Sequence, residues 1–292
     1  MRFPRRLSAV LTFFLAAAVV LIGGVVAWGD ALAAAPKPWE MGMQPAANAQ
    51  KAQIIDLHNL VLVIITLITL FVGALMVWVM WRYNANRNPV PSTTSHNTTI
   101  EILWTVIPIL ILVVIAIPSF RLVYFLDHTP EPDMTIKVTA HQWYWEYGYP
   151  EAGDTTIESR MIRTEDLKPG QLRLLDVDNQ MIVPVGKKIR ILTNSVDVIH
   201  SFFIPALGVQ RYAIPGRTIE TWMQVDKPGT YYGQCNQICG VDHSRMPISI
   251  KAVSADEYKA WIEKQKKASL ENAAPRMLAD ASRNDQTATV QR

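Results

Sequence analysis

The sequence predicts a two-helix transmembrane hairpin followed by an all-β domain. Two observations carry this. Two long apolar runs have charge-free cores, from about Leu57 to Trp81 and from about Ile100 to Phe125. Beyond Asp127 the pattern changes to short strand-like runs divided by turn signals.

Each apolar run is long enough to cross a hydrocarbon core of about 30 Å. The first holds no charge from Leu60 to Trp81, and the second none from Ile102 to Phe120. Pro108 and Pro118 lie inside the second, where a membrane span tolerates them better than a soluble helix does. The connector carries Arg82 and Arg87 and no acid before Glu101. The positive-inside rule places it in the cytoplasm, so both flanking segments face outward.

The N-terminus agrees with that topology. Arg2, Arg5 and Arg6 precede an apolar run from Leu7 to Trp28, and A-x-A sites follow at Ala31–Ala33 and Ala33–Ala35. A basic start, an apolar middle and a small-residue exit predict a signal peptide over residues 1–35. A non-cleaved anchor is the alternative. The expected divisions are then 1–35 signal, 36–126 membrane segment, 127–254 β domain, and 255–292 a helix with a disordered tail. The expected location is a bacterial inner membrane, with the C-terminal domain in the periplasm.

In the β domain the runs are MTIKVTAHQWYWEY, LRLLDVDNQMIVPVGKKIRILTNS, VIHSFFIPALGV, TIETWMQVDKPGTYYGQC and PISIKAVS. Lys168-Pro169-Gly170, Pro215-Gly216 and Lys227-Pro228-Gly229 supply turns between them. This spacing predicts a sandwich or barrel. DEYKAWIEKQKKASLE then reads as a helix, and the polar tail from about Ala273 as disordered.

Composition excludes other classes. Half of the 292 residues are hydrophobic, too many for a disordered chain. A net charge of +3 gives no reason to expect a nucleic-acid partner. Two cysteines are too few for a disulfide scaffold.

Those two cysteines stand in a dense ligand pattern. Cys235, Cys239, His243 and Met246 form C-x3-C-x3-H-x2-M, and His200 ends an upstream strand-like run. Two thiolates, two imidazoles and a thioether select copper, or zinc if the thioether only packs. A disulfide would explain neither His243 nor Met246. A blue-copper site uses two His, one Cys and a long axial Met. The added cysteine lets two sulfurs bridge two copper ions, which suits electron transfer. Trp143, Tyr144, Trp145 and Tyr147 form an aromatic cluster, and strand alternation buries about half of it.

With these motifs the chain resembles the subunit II family of the haem–copper cytochrome c oxidases. The resemblance covers about Gln44 to Ser254. It rests on Ala140-His141-Gln142-Trp143-Tyr144-Trp145, on QLRLLDVDN, on Ala213-Ile214-Pro215-Gly216-Arg217, and on YYGQCNQICG followed by His243-Ser244-Arg245-Met246-Pro247-Ile248. It implies a cupredoxin-like domain holding a dinuclear copper A centre. Cys235 and Cys239 would bridge the coppers. His200 and Met246 would complete one copper, and His243 with the Gln237 carbonyl oxygen the other. Trp143 would receive electrons from cytochrome c. Asp178 and Asp197 would face the lysines of that partner. Glu101 would form the mouth of a proton pathway into subunit I, whose haem would be next in line. The lipid bilayer and the other oxidase subunits are the remaining partners implied.

Two departures stand out. The family often has Glu at the position of Gln237, and that Glu side chain binds magnesium at the interface with subunit I. A neutral amide is a weaker ligand for a hard cation. Arg245 replaces a common aromatic. Two other readings compete. A copper-delivering metallochaperone has no use for the aromatic motif, and a quinol oxidase subunit lacks the ligand set.

Overall fold

A computed structural model describes residues 34–268. The expected signal segment lies outside the described residues except for Ala34 and Ala35, and so does the tail from residue 269. Ala34 forms a parallel bridge with Tyr231.

Two long helices come first, α1 (Ala49–Arg82) and α2 (Thr98–Asp127). Both are apolar enough to span a membrane, and neither most apolar window is buried within the chain. At 1.5 Å per residue the 34 residues of α1 reach about 51 Å, well beyond a hydrocarbon core of about 30 Å. The excess lies at its start, which begins eight residues earlier than the apolar pattern predicts. Asn48 explains the early start. Its side-chain oxygen caps the helix by accepting from the Lys51 amide at 2.8 Å. Its side-chain amide donates to the carbonyls of Leu207 and Gln224. Gln50 donates to the Trp222 carbonyl at 3.0 Å. The first turn of α1 is thereby tied to the β domain through buried polar groups. Gly208 permits the approach, because a Cβ there would stand 2.7 Å from Ile54 Cδ1. The C-terminal end of α2 is joined to the same domain. Phe125 packs edge-on against Trp222, and Arg211 pairs with Asp127 at 2.7 Å.

Ten strands follow: β1 (Met134–His141), β2 (Tyr144–Tyr149), β3 (Thr155–Ser159), β4 (Met181–Pro184), β5 (Ile189–Ser195), β6 (His200–Ile204), β7 (Val209–Ala213), β8 (Ile219–Met223), β9 (Gly229–Cys235) and β10 (Pro247–Val253). They make two five-stranded sheets, ordered β3-β2-β1-β5-β8 and β4-β10-β9-β6-β7. The β1–β5 and β4–β10 pairs are parallel and the other strand pairs antiparallel. Alternation fills the space between the sheets: Ile136, Val138, Ile189, Ile191, Ile248 and Ile250 are fully buried. The predicted two-helix hairpin and all-β domain are both present.

The detail departs from the sequence reading in two places. MTIKVTAHQWYWEY is a hairpin, with Gln142 and Trp143 at its turn rather than in a strand. The first part of LRLLDVDNQMIVPV is a turn, not a strand. Asp176 accepts from the Leu172 amide and Leu174 takes φ 65°, a local alternative to a sheet ladder. The C-terminal helix, α3, is present as predicted from residue 255 to the last described residue, 268, and Ser254 and Glu257 cap it reciprocally.

Replacing Asn48 with Ala removes the cap and the donor to the Leu207 and Gln224 carbonyls. The change should destabilise the chain by about 1–3 kcal/mol. Thermal unfolding in detergent measures it; an unchanged midpoint would refute the role of this tether.

Candidate metal centre

Three segments converge at one end of the sandwich: the start of β6, the end of β9, and the loop from β9 to β10. The first supplies His200, the second Cys235, and the loop Cys239, His243 and Met246. Gly233 lets β9 press against β6, since a Cβ there would stand 2.2 Å from the Phe203 carbonyl oxygen. Ligand atoms of His200, Cys235 and Cys239 all lie within 4.8 Å of one another, and all three residues are buried.

The remaining donors surround this triad. The two thiol sulfurs are 3.9 Å apart and both cysteines are free, whereas a disulfide needs about 2.05 Å. His200 Nδ1 is 3.2 Å from Met246 Sδ and 4.0 Å from Cys235 Sγ. His243 Nδ1 is 3.4 Å from Cys239 Sγ, and Met246 Sδ is 3.5 Å from that sulfur. The Gln237 carbonyl oxygen lies 3.3 Å from Cys235 Sγ. The structure thus gathers all six predicted ligand residues. Two sulfhydryl groups, two imidazoles and a thioether are a donor set that fits copper.

Hydrogen bonds orient these ligands. Asp197 Oδ1 is 2.8 Å from His200 Nε2, which leaves Nδ1 to face the sulfurs. The other Asp197 oxygen accepts from the Gln142 amide at 2.6 Å. Burial pushes the Asp197 carboxyl up, but hydrogen bonds from His200, Val198 and Gln142 outweigh it and hold the group below the usual carboxylate range. Burial likewise opposes the charged form of His200, yet Cys235 and Asp197 raise its pKa overall. Burial works against the Cys235 thiolate too, but bonds with His200 and nearby backbone groups lower its pKa. Cys239 moves the opposite way. Burial and the neighbouring Cys235 charge push it up to about 12.

Trp143 reaches the same loop from the β1–β2 turn. Its Nε1 donates to the Cys239 carbonyl at 3.2 Å, and Gln142 Nε2 donates to that oxygen at 2.8 Å. Trp143 and Tyr144 are half-buried, and Trp145 and Tyr147 are fully buried; alternation along β2 separates Tyr144 from Trp145 and Tyr147, whereas Trp143 lies in the turn outside it. Gly240 makes room for the indole. Its φ is +123°, and a Cβ there would meet Trp143 at 2.9 Å.

The other predicted positions lie elsewhere. Asp178 is exposed and accepts from the Arg160 and Asn179 amides. Glu101 sits in the first turn of α2, where its carboxylate accepts from the Asn97 amide at 3.2 Å. Arg245 faces Asp242 at 3.5 Å on the surface, which gives it a local partner. The sequence reading missed Gln142 as a link to the loop and Asp197 as the partner of His200. Their positions inside the His141–Trp145 motif and three residues before a ligand were the available signals.

Residues 134–253 match the family described as cytochrome c oxidase subunit II, periplasmic domain, and residues 36–122 match the transmembrane domain of the same subunit. The chain belongs to the cytochrome c oxidase subunit II family. A protein of Rickettsia bellii named "Probable cytochrome c oxidase subunit 2" is 45% identical over 268 residues, covering 92% of this chain and all of that one. The cytochrome c oxidase subunit 2 of Oenothera berteroana is 46% identical over 238 residues, covering 80% of this chain and 92% of that one. Among solved structures, the periplasmic domain of subunit II of cytochrome oxidase of Bradyrhizobium japonicum is 48% identical. It covers 48% of this chain and 99% of that one, with a TM-score of 0.45. Family membership makes this chain a membrane-anchored subunit of an oxidoreductase complex, with a soluble C-terminal domain that carries a candidate copper site.

Replacing Gly240 with Ala should displace the Trp143 indole from the loop and cost about 1–3 kcal/mol. Tryptophan fluorescence and thermal unfolding report both effects. An unshifted spectrum with full stability would contradict the packing described.

Proposed function

We propose that this chain is the electron-accepting subunit of a cytochrome c oxidase and holds a dinuclear copper A centre. The convergence of five side-chain donors and one carbonyl in a single pocket carries this reading. In it, Cys235 and Cys239 would be the ligands shared by two coppers. His200 and Met246 would serve one copper, and His243 with the Gln237 carbonyl oxygen the other. When bound, such a pair takes up and releases one electron at a time, shared between both ions.

The chain's own residues do the rest. Asp197 fixes the tautomer and plane of His200. Burial of His200, Cys235, Cys239 and Met246 keeps water from the site, which also disfavours the readily exchanged metal of a delivery protein. Trp143 links the surface to a ligand residue through its bond to the Cys239 carbonyl, and receives the electron from cytochrome c. Asp178 and Asp197 present negative charge to that basic partner, which favours fast, salt-sensitive encounter. The electron then passes to haem in subunit I, where oxygen is reduced.

Two further roles belong to this reading. Glu101 stands at the cytoplasmic end of α2 as the mouth of a proton pathway, besides capping the helix. The Gln237 side chain marks the family's magnesium position at the interface with subunit I. Residues 1–35 are the signal, 36–126 the membrane segment, 127–254 the periplasmic domain and 255–292 its C-terminal extension, in a bacterial inner membrane.

Stopped-flow mixing of the purified oxidase complex with reduced cytochrome c tests the reading. Trp143→Phe should slow copper reduction at least about tenfold, a barrier rise of about 1.4 kcal/mol, at unchanged copper content. Raising the salt should slow the unaltered complex. Equal rates in the variant would count against the role of Trp143. Absence of any electron uptake from cytochrome c by the unaltered complex would count against the function itself.

Glu101→Ala should lower oxygen turnover while leaving copper reduction by cytochrome c intact. Oxygen-electrode and stopped-flow rates on one preparation separate the two, and full turnover would remove Glu101 from the pathway.

A further inference from the structure

Trp145 is fully buried beside the proposed centre and has no role in the account so far. Its indole Nε1 donates to the Met246 carbonyl at 3.2 Å. The Cys235 amide points at that same oxygen from 3.4 Å. One carbonyl thus joins the backbone of a thiolate ligand to the backbone of the thioether ligand, with the indole as the second donor. The ring has a second contact. It meets His200 edge-on, with centroids 6.2 Å apart and planes at 64°, and meets Phe202 at 5.4 Å and 77°. A single indole therefore touches both residues assigned to one copper, His200 through its ring and Met246 through its N–H.

From this geometry we infer that Trp145 is a positioning residue for that copper. The N–H fixes the backbone from which the Met246 thioether projects, and the ring limits tilting of the His200 imidazole. Outer contacts of this kind orient metal ligands, and that would tune the electronic structure and potential of a copper held there. Trp145 differs from Trp143, which binds the Cys239 carbonyl from the surface side. A tryptophan that served only as core filling would influence stability and leave the properties of the metal alone. The inference rests on the two-copper reading above.

The test uses the full chain, purified in detergent and loaded with copper. Trp145→Phe keeps an aromatic ring and removes the N–H. The expected result is two bound coppers with a shifted copper hyperfine splitting, shifted copper–sulfur absorption and a shifted reduction potential. In a Met246→Leu background the same change should produce a shift several times smaller, because the N–H no longer positions a thioether. Unchanged spectra and potential in the two-copper Trp145→Phe protein would overturn the inference, and so would an equal shift in the Met246→Leu background. Where Trp145→Phe fails to fold, replacing Trp145 with benzothienylalanine removes the N–H in a ring of nearly the same shape, and the same shifts are expected. If the unaltered chain binds fewer than two coppers, the reading on which the inference rests falls first, and the copper count shows which of the two has failed.

Discussion

Two thiols, two imidazoles and a thioether meet in one pocket whose neighbouring donors stand 3.2 to 4.0 Å apart. That convergence is the constraint on which the rest of the structure depends. Such a cluster adds little to stability in the absence of a metal. Burial opposes its charged forms, and the Cys239 thiol is pushed up to about 12. Its organisation makes physical sense as a site prepared for a soft metal, because a bound cation would stabilise the thiolates that burial disfavours.

The fold supplies what the cluster needs from two directions. β6, β9 and β10 hold three of the side chains, His200, Cys235 and Met246, on or beside rigid strands, with the close passage at Gly233 bringing β9 onto β6. The β1–β2 turn then closes over the loop, bonding to the Cys239 carbonyl through Gln142 and Trp143 and to Asp197 through the Gln142 amide. The Asn48 tether and the Phe125–Trp222 contact join this domain to both membrane helices. A centre built in this way has a defined position relative to the two helices, which the proposed electron transfer into a membrane partner would require.

The legible and the illegible parts of this arrangement differ in a simple respect. The membrane helices were readable because charge-free runs of that length have few other uses. The loop from Cys235 to Met246 was readable because its donors lie within twelve residues of one another. His200 was placed by donor type and by its resemblance to the family. What escaped is held together by contacts between distant parts of the chain. Gln142 meets the Cys239 carbonyl across 97 residues, and Trp145 meets Met246 across 101. The early start of α1 depends on Asn48 finding carbonyls 159 and 176 residues away. The turn at Leu172–Asp176 escaped for the opposite reason. It is local, but its apolar residues imitate a strand until the Asp176 side chain takes the Leu172 amide.

On the proposed reading, one chain holds two copper ions in electronic contact. Electron paramagnetic resonance on the copper-loaded full chain, with metal content measured on the same sample, decides this. Two coppers per chain are expected, with one unpaired electron whose hyperfine pattern requires both nuclei. A single copper with a one-nucleus spectrum, or colourless zinc in its place, would overturn the reading.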